Sequence, residues 1–356
     1  MKTNNKLFAM ALATTAVGLV ACDNQDIDFP DYEGGVSIYF PYQTPVRTIV
    51  LGSDEYDTSL DKEHKCLISA TMGGAYKGRN IIADYVVDEK LCQNVKKVDG
   101  SAIKVMPSSY YTLSDEAFRF NGNQKASIEV QLTDAFFADP ESVNETYVIP
   151  MYLRNQIGAD RILTGSYDTE IYSTAPSRLD AEKWSDTDKP MDYILYCVKY
   201  QNKYTGSYAR CGKYKIDGAA AIQLPNDSVA KWVGHFNPVT DGVACKIATR
   251  SLKQATYKLT LESKPENLSV DCSLLLTFDD SDNCTITSET EGVTVTGTGK
   301  FVANGATKAW GDKDRDLLTL NFTIDNGTQT IVCEESLVWT NSNVNKKEFE
   351  LIYVAE

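Results

Sequence analysis

Tryptophans set among polar residues are the side chains of this sequence whose type and position best fit ligand binding. Trp310 lies within a charged stretch at 308–313, and Trp232 is followed closely by Asn237. An aromatic ring stacks on the apolar CH face of a sugar, while carboxylates, amides and amines bind its hydroxyls. The sequence therefore predicts a ligand-binding edge whose members are Trp310, Trp232, Asp312, Lys313 and Asn237.

Two tyrosines are further candidates. Tyrosines recur at 196, 200, 204 and 208, an even spacing that puts neighbours in one strand on the same face. Tyr200 and Tyr204 are therefore candidates to line a ligand groove. Core packing is the competing interpretation of these tyrosines, and for Trp310 the competing role is to cap one end of a barrel.

Catalytic chemistry is poorly supported by the residue types present. A Ser-His-Asp triad needs a positioned histidine, yet only His64, in a charged run, and His235 occur, and there is no GxSxG. Two carboxylates suffice for a glycosidase, and 49 acidic residues leave that alternative open. No catalytic residue and no cofactor are predicted.

One acidic stretch and the cysteines raise the question of metal binding. Residues 312–316 begin like a calcium loop, but Leu317 and Thr323 stand where the EF-hand motif needs Gly and Glu. No CxxC occurs, so no zinc site is predicted. No metal ligand is assigned, although a calcium site of another kind stays open.

The amino terminus is expected to be a processed export signal. Lys2 and Lys6 precede an apolar segment, 7–21, that is too short to span a membrane. The sequence at 19–22, Leu-Val-Ala-Cys, resembles a bacterial lipobox, which implies cleavage after residue 21 and lipidation of Cys22. Residues 22–34 then form a flexible acidic tether. An ordinary signal peptide with an incidental cysteine is the alternative.

Length and charge limit the classes of partner. A chain of 356 residues suggests two domains. The net charge of −14 disfavours nucleic acid and anionic lipid, so membrane attachment is expected through the lipid anchor alone.

Short alternating apolar runs, rich in Val, Ile, Thr, Tyr and Phe, indicate an all-β protein. The triplet Asp325-Asn326-Gly327 predicts a tight turn, and a short helix is expected at 133–138. A linker is predicted at 176–190, between domains at 35–175 and 191–356. The eight cysteines after Cys22 divide two and six across it, and disulfides and buried thiols are both open.

The order of several short motifs resembles a known bacterial family. VSIYF at 36–40, MGGAY at 72–76 and MPSSYYTL at 106–113 resemble the immunoglobulin-like N-terminal domain of Bacteroidetes surface lipoproteins, which also precedes some endoglycosidases. VKYQNKYTGSY at 198–208 and GTGKF at 297–301 resemble the lipocalin-like C-terminal barrel often fused to it. The resemblance implies an Ig-like β-sandwich followed by a lipocalin-like antiparallel β-barrel.

The resemblance also implies a role. Such proteins are encoded beside outer-membrane glycan importers of the starch-utilisation type, which are possible partners. The expected function is non-catalytic capture of an extracellular polysaccharide or glycoprotein glycan by a protein lipid-anchored in the outer membrane and facing the cell exterior. A structural or adhesive protein with a protein partner, and a carboxylate-dependent glycoside hydrolase, are the alternatives.

Overall fold

The computed structural model describes residues 30–52, 56–217, 222–223, 243–263, 267–344 and 348–354. It is 8% helix and 55% strand, which confirms the all-β prediction. Within the described residues, no helix is both long and apolar enough to cross a membrane.

Twenty-two strands are described, together with two short α-helices and four 3-10 turns. The first twelve strands are β1 (Ser37–Tyr39), β2 (Val46–Val50), β3 (Lys65–Gly73), β4 (Ile82–Val87), β5 (Val95–Lys97), β6 (Lys104–Val105), β7 (Tyr111–Leu113), β8 (Ala117–Arg119), β9 (Lys125–Leu132), β10 (Tyr147–Ile157), β11 (Arg161–Ile162) and β12 (Tyr193–Gln201). The remaining strands are β13 (Gly206–Ile216), β14 (Ile222–Gln223), β15 (Val243–Ser251), β16 (Gln254–Ser263), β17 (Leu268–Phe278), β18 (Asn283–Ser288), β19 (Thr294–Trp310), β20 (Lys313–Asp325), β21 (Thr330–Asn341) and β22 (Leu351–Tyr353). The helices are α1 (Ser59–Lys62) and α2 (Asp134–Ala138), and the 3-10 turns are Glu89–Cys92, Ser108–Tyr110, Pro140–Val143 and Ala181–Lys183.

The N-terminal domain is a sandwich of two sheets. One sheet has the order β11-β1-β3-β9-β7, and the other has the order β2-β12-β10-β4-β8 with β6 beside β10. Side chains in β3 alternate between buried and accessible along the strand, as a sheet with one face on a core requires. The core between the sheets includes Ile38, Phe118 and Ile128, each fully buried. The expected sandwich is thus confirmed.

The expected boundary at 176–190 is wrong, because the strand that follows it belongs to the sandwich. β12 pairs with β10 on one side and β2 on the other, so it is a central strand of the second sheet. The segment before β12 is packed: Trp184 is buried, and Arg178 makes a two-bond ion pair with the buried Asp192 at 2.7 and 2.9 Å. The connection between the two domains is therefore 202–205, and the barrel begins at β13.

The C-terminal strand returns to the sandwich. β22 pairs with β5, and Phe349 joins an apolar cluster on the outer face of the second sheet with Val148 and Leu195. Successive residues of β12 point to opposite faces of the sheet, and both faces are covered by other side chains. This explains why the sequence of β12 is apolar along most of its length. The expected domain 191–356 therefore contributes both its first and its last strand to the N-terminal domain.

The C-terminal domain is a closed antiparallel barrel of eight strands, β13 and β15 through β21, which confirms the predicted barrel. Closure comes from β13, which pairs with β15 and with β21. Inward positions are filled by apolar and aromatic side chains, among them Tyr257, Leu274 and Leu320.

The hairpin of β19 and β20 also covers part of the outer barrel wall. Ala306 and Ala309 bury Ala209 and Cys211, which point outward from β13. Two register shifts interrupt the pairing of β19 with β20 near this contact, between Val302 and Ala306 and between Ala306 and Trp310. These bulges bend the hairpin, which allows its end to pack on the neighbouring strands.

The eight cysteines of the described chain carry thiols rather than disulfides. Six are buried and two are half-buried. Burial raises the pKa of Cys66 and of Cys284 to about 12, so both stay protonated at neutral pH. They act as small apolar side chains, which was one of the two interpretations that the sequence left open.

Candidate functional site

Of the predicted site residues whose side chains the structure describes, the two tyrosines are buried and lie in different domains. Tyr200 is 2% exposed in the sandwich core, where its ring lies 5.0 Å from that of Phe137 and its hydroxyl donates to the Phe137 carbonyl. Tyr204 is 2% exposed in the barrel core and stacks on Phe278 at 3.5 Å. The expectation that these two tyrosines line a ligand groove is wrong, because both rings are enclosed by other side chains and lie in different domains.

Asp312 and Lys313 lie at the exposed tip of the β19–β20 hairpin. Gly311 and Asp312 both have positive φ values, 60° and 52°, and connect the paired residues Trp310 and Lys313. This is the geometry of a two-residue hairpin turn, which favours Gly and Asp at such positions. The side chain of Trp310 lies outside what the structure describes, and its proposed stacking role stays a prediction.

The acidic stretch after this turn has a structural use. The Asp316 carboxylate accepts the backbone N–H of Asn304 at 2.8 Å, and Asp314 accepts that of Lys308 at 2.8 Å. Asn304 and Lys308 have positive φ values of 53° and 47°, so each aspartate caps a strained position in one of the β19 bulges. In the described part of the chain, no three His, Cys, Asp or Glu side chains form a group that could hold a metal ion.

Three of the predicted functional residues lie outside the described residues: Cys22, Trp232 and Asn237. Their predicted roles, lipidation for the first and sugar binding for the other two, stay predictions.

The best candidate for a binding surface is a cleft at one end of the sandwich, which we call the tyrosine cleft. It is about 380 Å³ in volume and is lined by Pro30, Tyr32, Gly74, Ala75 and Tyr76. Tyr32 is 66% exposed and Tyr76 is 60% exposed. Gly74 and Ala75 carry almost no side chain, which leaves room for a ligand beside the two rings.

Backbone hydrogen bonds hold the two tyrosine-bearing segments together. The N–H of Tyr32 donates to the carbonyl of Gly74 at 2.7 Å, and the N–H of Tyr76 donates to the Asp31 carboxylate at 3.3 Å. Gly74 has a φ of +87°, and a Cβ there would overlap the carbonyl of Gly35. Glycine is therefore required at this position for the two segments to approach each other.

A charged pair borders the tyrosine cleft. Asp31 forms an ion pair with Arg79, and both side chains are about 40% accessible, at 42% and 40%. Gln124 holds the loop that carries Tyr76, because its side-chain amide donates to the carbonyl of Tyr76 at 2.7 Å. The cleft thus combines accessible aromatic rings with hydrogen-bonding groups of both charges, the combination that sugar recognition uses.

The sequence analysis missed this cleft. MGGAY at 72–76 entered it only as part of a family resemblance, and Asp31-Tyr32 was assigned to the tether. A local signal was present, since two glycines at 73 and 74, followed by Ala75 and Tyr76, indicate a turn that presents an aromatic ring. The partner segment, about forty residues away in sequence, could not be recognised without the fold.

A second cleft on the sandwich carries two carboxylates. It is about 460 Å³ in volume, and its charged lining residues are Asp84, Glu116, Arg119 and Arg154. Asp84 is on β4, opposite Ala117 of β8, so the neighbouring Glu116 is close to it in the sheet. This cleft offers the glycosidase alternative a pair of acids, Asp84 and Glu116.

Comparison with known proteins identifies relatives in Bacteroides. A solved structure of a Bacteroides ovatus protein of unknown function is similar to this chain with a TM-score of 0.80 and 33% identity, over 91% of this chain and 100% of the other. This chain belongs to the same family as that protein. A family model described as an N-terminal domain matches residues 31–160, and a domain of unknown function, DUF5627, matches 203–343. The second match begins where the structure places the connection to the barrel.

More distant solved structures also align. One is a multidomain protein including DUF1735 from Bacteroides ovatus, with 11% identity and a TM-score of 0.40, over 88% of this chain and 99% of the other. Another is an auxiliary nutrient binding protein from Bacteroides thetaiotaomicron, with 10% identity and a TM-score of 0.35, over 86% and 95%. No curated protein matches the chain.

Proposed function

We propose that this family member binds a glycan in the tyrosine cleft and does not modify it. One observation carries the proposal: Tyr32 and Tyr76, which are 66% and 60% exposed, line one cleft together with Pro30, Gly74 and Ala75. Large apolar rings are rarely left in water side by side without a ligand-binding reason. A pyranose ring stacks on one tyrosine while the Asp31–Arg79 pair binds its hydroxyls.

The proposal includes a location. The lipobox-like sequence at 19–22 supports a lipid anchor on Cys22 in the outer membrane, with the folded domains facing the cell exterior. The tyrosine cleft is formed in part by Pro30 and Tyr32, which lie within the predicted tether, about ten residues after Cys22. A glycan held there is close to the membrane, where an outer-membrane importer is the proposed recipient.

A glycan array with the mature chain tests the proposal, followed by affinity measurements on the best glycan. Tyr76→Ala is expected to weaken binding by about 2 kcal/mol, roughly thirtyfold, as for other aromatic residues that dominate a binding site. Its melting temperature should change little, because the side chain is 60% exposed. Tyr42→Ala is the matched control, since Tyr42 is also 60% exposed but does not line the cleft.

Two results would contradict the proposal. Unchanged affinity in folded Tyr32→Ala and Tyr76→Ala variants would remove the cleft as the binding site. An array on which the mature chain binds no glycan would remove the function and leave the adhesive alternative, in which the exposed rings contact a protein.

The glycosidase alternative is favoured by one observation, the shared cleft of Asp84 and Glu116. A glycosidase needs one carboxyl to donate a proton and a second to act as base or nucleophile. Release of reducing ends from a bound glycan, abolished in Asp84→Asn and in Glu116→Gln, would establish hydrolysis there. Binding without product release supports the non-catalytic proposal.

A further inference from the structure

The barrel wall contains a gap between β15 and β16. Pairing of these strands runs from Ser251–Gln254 only as far as Ile247–Tyr257, whereas β16 continues along β17 to the pair Ser263–Leu268. Among the described residues, the part of β16 beyond Tyr257 therefore has a partner strand on one side only. A cavity of about 620 Å³ opens there, which we call the wall slot, and Arg210, Cys245, Lys246 and Lys258 contribute to its lining.

The inner end of the wall slot is a buried polar cluster. Arg210 is 5% exposed and its Nη2 donates to Glu335 Oε1 at 2.6 Å, while the Tyr257 hydroxyl donates to Glu335 Oε2 at 2.9 Å. Both carboxylate oxygens of Glu335 thus have a donor. The Nε of Arg210 is buried and has no hydrogen-bond partner in the described structure.

The unpartnered Nε of Arg210 indicates that the wall slot binds a ligand with a hydrogen-bond acceptor. A buried donor without an acceptor destabilises the folded state, and such groups are rare in folded proteins. Arg210 also lines the cavity, so an acceptor entering the slot can reach the guanidinium.

The outer rim of the wall slot is positive. Lys246 and Lys258 occupy the position next to the Ile247–Tyr257 pair, on the outer face, at the point where pairing ends. Two like charges facing each other across neighbouring strands repel, and an anion between them relieves that repulsion. Three cationic side chains therefore surround one cavity in a chain whose net charge is −14.

We propose that the wall slot binds a carboxylate-bearing ligand about the size of one sugar acid. One carboxylate oxygen accepts the Arg210 Nε–H, and the two lysine ammonium groups pair with the anion from the rim. Burial raises the pKa of Cys245 to about 12, so this neighbouring thiol is neutral and does not repel an anion. The volume lies in the range of small-molecule sites. The slot is in the barrel and does not depend on the tyrosine cleft.

Titration calorimetry of the mature chain with D-glucuronate tests the proposal, with D-glucose as the neutral probe and acetate as the small anion. We expect glucuronate to bind, glucose not to bind, and acetate to bind at least about tenfold more weakly because it lacks the ring contacts. The double variant Lys246→Gln/Lys258→Gln should weaken glucuronate binding by about tenfold, as the loss of two exposed ion pairs implies. Lys90→Gln, an exposed lysine of the sandwich, should leave binding unchanged.

Arg210→Lys tests the inner end of the wall slot. Lysine keeps a cation beside Glu335 but lacks the Nε–H, so a folded variant should bind glucuronate at least about tenfold more weakly. Melting curves establish whether the variant is folded. If it is not, the Lys246→Gln/Lys258→Gln variant still tests whether the wall slot binds glucuronate.

The wall-slot proposal is overturned if glucuronate does not bind at about 10 mM, or binds the lysine double variant as tightly as the native chain. Equal affinity for acetate and glucuronate overturns the assignment of ligand size. Tyr76→Ala should not affect glucuronate binding; a loss there would place the anion in the tyrosine cleft. Failure of the wall slot and failure of the proposed function are therefore distinguishable.

Discussion

Replacing Phe349 by alanine should destabilise the sandwich, although Phe349 follows the whole barrel in the sequence. The ring is 5% exposed and packs in the outer cluster with Val148, Leu195 and Cys197 of the second sheet. Truncating a buried phenylalanine typically costs about 3 to 5 kcal/mol, from lost transfer free energy and from the cavity that remains. We expect the lower end of that range, because this cluster covers the outside of a sheet and can relax.

A loss of about 3 kcal/mol is large against the total of about 5 to 15 kcal/mol that a domain usually has. Urea denaturation measures this loss of stability as a lower midpoint of unfolding. Hydrogen exchange shows which strands are destabilised. Protection should fall in β5, β12 and β22 and persist in β17 and β18 of the barrel. Ile352→Ala is the matched control in the same C-terminal segment, since Ile352 is 42% exposed and its loss should change stability by less than about 0.5 kcal/mol.

Two outcomes would refute this reasoning. An unchanged urea midpoint in Phe349→Ala would mean that the C-terminal strand does not stabilise the sandwich. Loss of protection in β17 rather than in β12 would mean that the residue supports the barrel, as its position in the sequence alone suggests.

Two further predictions concern a buried carboxyl and the anchor. Burial raises the pKa of Asp316, although the hydrogen bond from the Asn304 N–H opposes this, so the folded protein holds that proton more tightly than the unfolded chain does. The carboxyl therefore contributes stability that is present at low pH and lost as the pH rises through its folded-state pKa. Asp316→Asn, which keeps an acceptor for the Asn304 N–H, should raise the melting temperature at pH 7 but not below the ordinary pKa of about 3.8. Asp314→Asn, at an exposed cap of the same kind, should show no such pH-dependent gain, and an equal gain in both variants would contradict the argument. Cys22→Ala should release the protein from the membrane fraction or block its processing, as fractionation and N-terminal sequencing would show; normal processing together with unchanged fractionation would exclude the lipid anchor.

Local sequence patterns predict many of the strands, turns and helices of the fold. Alternation of apolar residues predicted the strands, and Asp325-Asn326-Gly327 predicted the turn between β20 and β21, where Gly327 has a φ of +81°. The helix expected at 133–138 is α2. These features are predictable because they depend on the conformational preferences of a few consecutive residues.

Domain membership was not predictable in the same way. The sequence predicts that the run at 193–201 starts the barrel, because it follows a Pro-containing, polar segment that resembles a linker. Its strand instead pairs with β2, about 150 residues earlier, and with β10. A strand sequence specifies which faces are apolar but not which strand it pairs with.

The fold class and the residue types available for binding follow from the sequence alone. Which tyrosines contact solvent depends on the tertiary structure: Tyr200 is enclosed by Phe136 and Phe137, whereas Tyr76 is 60% exposed. The tertiary structure alone also brought Arg210 and Glu335, 125 residues apart, into one buried pair. The physical reason is that exposure and electrostatic environment depend on contacts between distant segments, while residue type and periodicity are local properties.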